Sequence, residues 1–125
     1  MENKKVKNAT PTVVDGMEYR SKLEARFAQL LTEAHIPFEY ETQRWEIVPK
    51  QKYRGETLRA VTYTPDFLVF NHAVEIKGFK NDVYPLKKKL IVKFLTDTNS
   101  EYIFHEIKTV GEMKEFIKSI NNERF

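Results

Sequence analysis

Between residues 62 and 78 the chain reads Thr-Tyr-Thr-Pro-Asp-Phe-Leu-Val-Phe-Asn-His-Ala-Val-Glu-Ile-Lys-Gly. Asp66 and Glu75 place carboxylates in and beside two apolar stretches, 67–70 and 73–77, where an ionised group has a desolvation cost. Asn71-His72 fits a two-residue hairpin turn between them. With that turn, residue 70 faces 73, 68 faces 75 and 66 faces 77. Strand alternation then puts Asp66, Glu75 and Lys77 on one face. Two hard oxygen donors suit magnesium, which keeps waters when only one or two carboxylates bind it. The backbone carbonyl of Ile76 is a candidate for a further ligand. An ion held there acidifies water and neutralises charge on a phosphate, and Lys77 can hold the water or the phosphate. The same three side chains also permit something simpler, an exposed Asp66–Lys77 ion pair across the hairpin.

The flanking segments must hold this hairpin in place. Leu23, Phe27, Leu30, Leu31 and Ala34 recur at helical spacing and predict a helix over 19–35. Ser21 is its candidate N-cap, with Glu24 as the capping-box partner. Pro37 disfavours helix at the residue before it. At 100° per residue Glu24 borders the apolar stripe, so it either only caps the helix or looks toward whatever the helix packs on. Residues 38–42 and 44–48 alternate as strands, 49–56 reads as a basic loop with Tyr53-Arg54-Gly55 near its tip, and 58–63 as another strand. Pro65 suits a strand entry. A second helix is expected over 82–96, with Asp82 as cap and Pro85 in its first turn. Val83, Leu86, Leu90 and Phe94 form its predicted inner stripe, and Lys87, Lys88, Lys89 and Lys93 its outer one. A strand over 102–107 and a last helix follow, the helix opened by a Thr109–Glu112 capping box with Met113, Phe116, Ile117 and Ile120 inward. Residues 1–16 read as a flexible basic arm that ends in an extended Thr12-Val13-Val14 and an Asp15-Gly16 turn. Residues 17–125 read as one domain. The predicted class is α/β, with element order α-β-β-β-α-β-α and a mixed, mostly antiparallel central sheet flanked by helices.

The bulk properties fit one packed domain of 125 residues, with 41% hydrophobic residues. The absence of cysteine excludes disulfides and thiolate zinc sites and fits an intracellular, cytoplasmic setting. The first residues lack an apolar signal-peptide core, and no apolar run approaches the ~18 residues of a membrane span. The net charge is only +3, but its distribution is uneven. Six lysines stand against the single Asp82 between residues 77 and 93, and Lys50, Lys52, Arg54 and Arg59 against Glu56 between 50 and 59. Such fields suit a polyanion, although each run alone also fits a solvated surface. His35, His72 and His105 lack metal-ligand spacing and read as surface or hydrogen-bonded residues, His72 being the one near the site. The four glycines are scattered, which excludes a Gly-rich phosphate loop. Trp45 and the aromatic residues at 38, 40, 67 and 70 read as core. Tyr53 and Arg54 on the basic loop are candidates for contacting nucleic acid.

Glu24 in a first helix, Pro65-Asp66, Glu75-Ile76-Lys77 and then a lysine-rich helix resemble the PD-(D/E)XK nuclease superfamily, whose core is α-β-β-β-α-β. The resemblance covers about residues 19–107. More narrowly, Arg20-Ser-Lys-Leu-Glu-Ala-Arg26, Tyr63-Thr-Pro-Asp-Phe67 and Val74-Glu-Ile-Lys-Gly-Phe-Lys80 are similar to small phage-encoded endonucleases related to phage endonuclease I and other Holliday junction resolvases. The resemblance implies a restriction-endonuclease-like core. It implies that Asp66 and Glu75 bind a catalytic magnesium (Mg2+) or manganese (Mn2+) with the Ile76 carbonyl, and that Glu24 adds an acidic ligand, direct or through water. It implies that Lys77 positions or activates water, and that Lys80, Lys87, Lys88 and Lys89 hold DNA phosphates; Arg54, from its place on the basic loop, is a further candidate DNA contact.

The expected activity is therefore metal-dependent endonucleolytic hydrolysis of DNA. Branched DNA such as a Holliday junction is the preferred substrate, because a small chain has little surface for reading sequence and shape is easier to recognise. Symmetric cutting of a junction needs two active sites, which predicts a homodimer. The alternatives are a restriction- or repair-type nuclease on duplex DNA, a non-catalytic DNA-binding module, and a partner-binding protein that reuses the fold. The setting would be the cytoplasm, that of the host cell if the protein is phage-encoded.

Overall fold

The computed structural model describes residues 10–76 and 83–123. In chain order its elements are β1 (Thr12–Val14), β2 (Met17–Tyr19), α1 (Lys22–Glu33), β3 (Glu39–Tyr40), β4 (Trp45–Val48), β5 (Gln51–Tyr53), β6 (Glu56–Leu58) and β7 (Val61–Tyr63). These are followed by β8 (Phe67–Val69), β9 (His72–Ile76), α2 (Tyr84–Asp97), β10 (Ile103–Ile107) and α3 (Val110–Glu123). The central sheet has the order β10-β9-β8-β3. β3–β8 and β8–β9 are antiparallel, and β9–β10 is parallel across the α2 crossover. The class is thus α/β with a mixed, mostly antiparallel sheet. The predicted order of helices and core strands is present, with short hairpins added around it. Among the described residues no helix is long and apolar enough to cross a membrane.

Alternation divides the sheet into two apolar faces. Phe67, Val69, Val74, Ile76 and Ile107 pack against Phe27, Ala28 and Leu31 of α1 and Met113, Phe116 and Ile120 of α3. Leu68 and Ala73 face the other way, toward Trp45, Ile47 and Tyr63 of the β4–β7 pair and Ile91 and Leu95 of α2. Burying a side chain such as Phe27 or Phe67 contributes roughly 1.5–3 kcal/mol, and both are fully buried. The sheet is therefore a middle layer between α1/α3 and a layer built from α2 and the β4–β7 ribbon.

The caps set the helix boundaries. Ser21 Oγ accepts from Glu24 N (3.1 Å), and α1 ends as Ala34 N donates to Leu30 O (3.0 Å) and His35 takes φ +58°. The helix starts later than expected because residues 17–19 form β2, which pairs with β1 through the Asp15-Gly16 turn. Of the predicted arm, residues 1–9 lie outside the described residues, while Thr12–Val14 is a paired strand. The Thr109–Glu112 capping box is present in both directions: Glu112 N donates to Thr109 Oγ1 (3.1 Å) and Thr109 N to Glu112 Oε1 (3.3 Å).

Four expectations are corrected. The central hairpin turns at Phe70-Asn71, not Asn71-His72, because Val69 pairs with His72, Leu68 with Ala73 and Phe67 with Val74. His72 is drawn into the strand by a part-buried contact with His105, and Phe70 is left in the turn at φ +53°, mostly exposed. The expected inner stripe of α2 is rotated. Val83 and Leu86 are exposed at 65% and 59%, while Ile91 and Leu95 are buried and Tyr84, Lys87, Leu90 and Phe94 half-buried. The basic loop at 49–56 is part of a hairpin formed by β5 and β6. The strand expected over 58–63 is two strands, β6 and β7, interrupted at 59–60. Asp82, the expected cap of α2, lies outside the described residues, and Val83 occupies the N-cap position with no side-chain cap bond.

Candidate active site

Pro65 and Asp66 interrupt the β8–β9 ladder where it leaves the hairpin. Continued by one pair, the register sets Asp66 opposite Glu75; by two, Pro65 opposite Ile76. Pro65 has no N–H to donate across the ladder. The Asp66 side chain bonds the facing strand instead: its Oδ2 accepts from Ile76 N at 2.9 Å. Asp66 is fully buried and Glu75 is 3% exposed, so two carboxylates stand side by side inside the protein. The observed turn moves the pairing by one position along each strand. The shift is even in side-chain alternation, so the expectation that Asp66 and Glu75 share a face survives the change of register.

Tyr63, at the root of the β4–β7 ribbon, donates its hydroxyl to Glu75 Oε1 at 2.8 Å. Burial, and then the neighbouring Glu75 and Asp66, push the Tyr63 hydroxyl well above its ordinary pKa, so it remains a donor. On the other side, parallel pairing sets Glu106 directly beside Glu75. Glu106 Oε1 accepts from Lys88 Nζ at 2.9 Å, and its carboxylate also meets the Tyr84 hydroxyl. Burial acts to raise the Glu106 pKa, but the Lys88 and Tyr84 hydrogen bonds outweigh it and the net shift is downward. The Tyr84 hydroxyl is raised, first by burial, then by the Glu106 hydrogen bond and the charges of Glu106, Glu75 and Asp66. Lys87 is half-buried, with Nζ over the Tyr63 ring at 6.0 Å from its centre. The first two turns of α2 thus bring the Tyr84 hydroxyl and two cations, Lys87 and Lys88, to the carboxylate face.

Glu24 approaches from the α1 side and is 6% exposed. Its Oε1 accepts from the Tyr40 hydroxyl (2.5 Å) and from Arg20 N (3.2 Å), completing the cap one residue before Ser21. Tyr40 pairs with Phe67, and Glu41 N donates to Asp66 O at 3.0 Å, so the strand that holds Glu24 runs beside Asp66. The structure brings Asp66 and Glu75 together and links Glu24 to that end of the sheet through Tyr40. Among the described residues, no group of three or more His, Cys, Asp or Glu side chains is gathered closely enough to hold a metal ion. Lys77 and Lys80 lie outside the described residues. Lys89 is exposed on α2, and Arg54 is exposed at the tip of the β5–β6 hairpin with φ +50°. His72, expected near the site, faces α3 instead and contacts His105 and Glu123.

Glu106, Tyr63 and Tyr84 escaped the sequence reading. Glu106 did carry the signal that singled out Glu75, an acid in an alternating apolar strand, but only the parallel register reveals that the two are neighbours. Tyr63 has no reading beyond its place at a strand end, and Tyr84 opens α2, whose inner face is rotated from the expected one.

No curated protein and no solved structure matches the chain. A protein-family profile matches residues 4–111, most of its length. On that match the chain belongs to the family described as protein of unknown function DUF1064.

Proposed function

We propose that this protein is a metal-dependent endodeoxyribonuclease of the PD-(D/E)XK type, with a restriction-endonuclease-like core. The observation that carries the reading is the pair of buried carboxylates, Asp66 and Glu75, set opposite one another at the end of the hairpin. Two like charges removed from water repel strongly, and a cation between them relieves both the repulsion and the desolvation. The donor set is of hard oxygens, which fits Mg2+ or Mn2+, and the Ile76 carbonyl stands opposite a proline that cannot donate to it. Bound there, the ion would supply an acidified water and neutralise charge on the scissile phosphate.

The chain's own residues divide the remaining work. Tyr63 fixes the rotamer of Glu75, and Ile76 N fixes that of Asp66. Lys77, two positions after Glu75 in the sequence, orients the attacking water and offsets charge on the phosphate. Glu24 adds an acid from α1, and Lys80, Lys87, Lys88, Lys89 and Arg54 hold flanking phosphates. Branched DNA such as a Holliday junction is the proposed substrate, with a homodimer supplying two cutting sites, in the cytoplasm of the cell or of a phage's host.

A second reading, a non-catalytic DNA-binding module, draws on the structural duties that Asp66 and Glu75 already have toward Ile76 and Tyr63. A cleavage panel of duplex, single strand, flap and four-way junction with Mg2+ or Mn2+ separates the two. Asp66→Asn can still accept from Ile76 N, and should lower cleavage by about 10³-fold, or ~4 kcal/mol of barrier, with DNA binding retained. Absence of cleavage of every substrate by the wild type favours the binding module.

A further inference from the structure

Beyond the β4–β7 pair, which ends at Val48 and Val61, the chain forms a separate two-stranded ribbon, β5–β6. After a shift between Glu46 and Val48, the offset that pairs Val48 with Val61 is the one that pairs Gln51 with Leu58. Continued by one pair into the unpaired stretches 49–50 and 59–60, the register sets Lys50 across from Arg59, and Lys52 pairs with Thr57. β5 and β6 pair only with each other, and every residue from 49 to 59 is exposed. At about 3.3 Å per residue the extension reaches roughly 20 Å from Val48 to the tip.

The ribbon's two sides differ in charge. Alternation gathers Lys50, Lys52, Thr57 and Arg59 on one side, and Gln51, Tyr53, Glu56 and Leu58 on the other. The first side carries three cations and no acid; the one acid, Glu56, is on the second. Lys50 and Arg59 bring like charges to the base of the ribbon, where the chain is unpaired, and a polyanion relieves their repulsion. Arg59 leads directly into β7, whose Tyr63 hydroxyl holds Glu75, so a short stretch of chain joins the ribbon's cations to the carboxylates.

We propose that the β5–β6 ribbon is a DNA-binding arm, whose Lys50, Lys52 and Arg59 grip the phosphates of a duplex running out from the Asp66–Glu75 site. The choice of DNA rests on the nuclease reading. A two-stranded ribbon also has a width that the major groove of B-DNA admits.

The test is fluorescence anisotropy of a labelled duplex in EDTA, between about 50 and 200 mM salt. The triple variant Lys50→Ala/Lys52→Ala/Arg59→Ala should bind more weakly and lose about three units of the slope of log K against log salt. A charge-matched control on the opposite layer, Lys22→Ala/Lys114→Ala/Lys118→Ala, should keep the wild-type slope. Equal slopes for all three proteins overturn the proposal. So does binding of polyglutamate that competes with DNA and is lost in the ribbon variant to the same degree, since the arm would then be an acidic-peptide site. Ribbon-dependent DNA binding by a wild type that cuts nothing leaves the arm standing and removes the nuclease reading. Cleavage with unchanged binding in the ribbon variant does the reverse.

Discussion

Tyr63 shows how much of the site depends on a single hydroxyl. It is buried with its ring against Trp45 and Phe104, and its hydroxyl reaches Glu75 at 2.8 Å. Tyr63→Phe keeps the ring packing and removes only the donor. A hydrogen bond to a charged group is worth roughly 1.5–3 kcal/mol, so urea unfolding should show a loss of about that size. If Glu75 is a metal ligand, the variant should also need more Mg2+ for half-maximal cleavage, because the carboxylate loses the bond that fixes its rotamer. Unchanged stability together with an unchanged metal requirement would remove Tyr63 from the site. The sequence showed Asp66 and Glu75 because a charge in an apolar strand is conspicuous. It could not show Tyr63, because an aromatic residue in a strand is ordinary until its hydroxyl is found to have a partner.

At the scale of elements, the sequence shows the three helices, and the caps of α1 and α3, more reliably than the inner face of α2. Three consecutive lysines occupy positions 87–89, and apolar pattern alone cannot tell which of them turns inward. Lys87 does so: it is half-buried, and its ammonium lies over the Tyr63 ring, 6.0 Å from the centre. The hairpin register was misread for a related reason. Asn71-His72 is good turn chemistry, but His72 Nδ1 lies 2.8 Å from His105 Nε2, and His72 Nε2 lies 3.2 Å from Glu123. That chain stitches β9, β10 and α3 together, and it predicts a pH response. Burial first, and then the proximity of His72, lower the pKa of His105 below 6.5, with Glu123 opposing. The folded state then binds fewer protons than the unfolded one, so stability is complete above 6.5 and falls as pH drops from there toward the lowered value. Denaturant midpoints measured at steps between neutral and mildly acidic pH should show this fall, and His105→Gln should flatten it. A slope identical in the two proteins would assign the fall to other groups.

On the scale of the whole molecule, the layers explain why the functional parts lie where they do. The α1/α3 side of the sheet packs an apolar core around Phe27, Phe67 and Met113, with Glu24 and His72 at its borders. The opposite side combines an apolar cluster around Trp45 and Ile91 with the carboxylates, because the β4–β7 ribbon and the first turns of α2 meet there. Charge held inside such a layer makes stability depend on whatever neutralises it. A cation that binds only the folded protein stabilises it by RT ln(1 + [L]/Kd), about 1.4 kcal/mol when the ion is at ~10 times its Kd. For a domain of this size that raises Tm by a few degrees. Thermal unfolding in EDTA and in millimolar Mg2+ or Mn2+ should therefore differ for the wild type. The difference should vanish in Asp66→Asn, which keeps the bond from Ile76 N but loses the charge. The measurement needs no DNA and no turnover, so it tests the ion site apart from the nuclease activity. An equal rise in both proteins would place the ion elsewhere. No rise in the wild type would leave Asp66 and Glu75 as structural acids, held by Ile76 N and Tyr63, and the case for hydrolysis would lose its central observation.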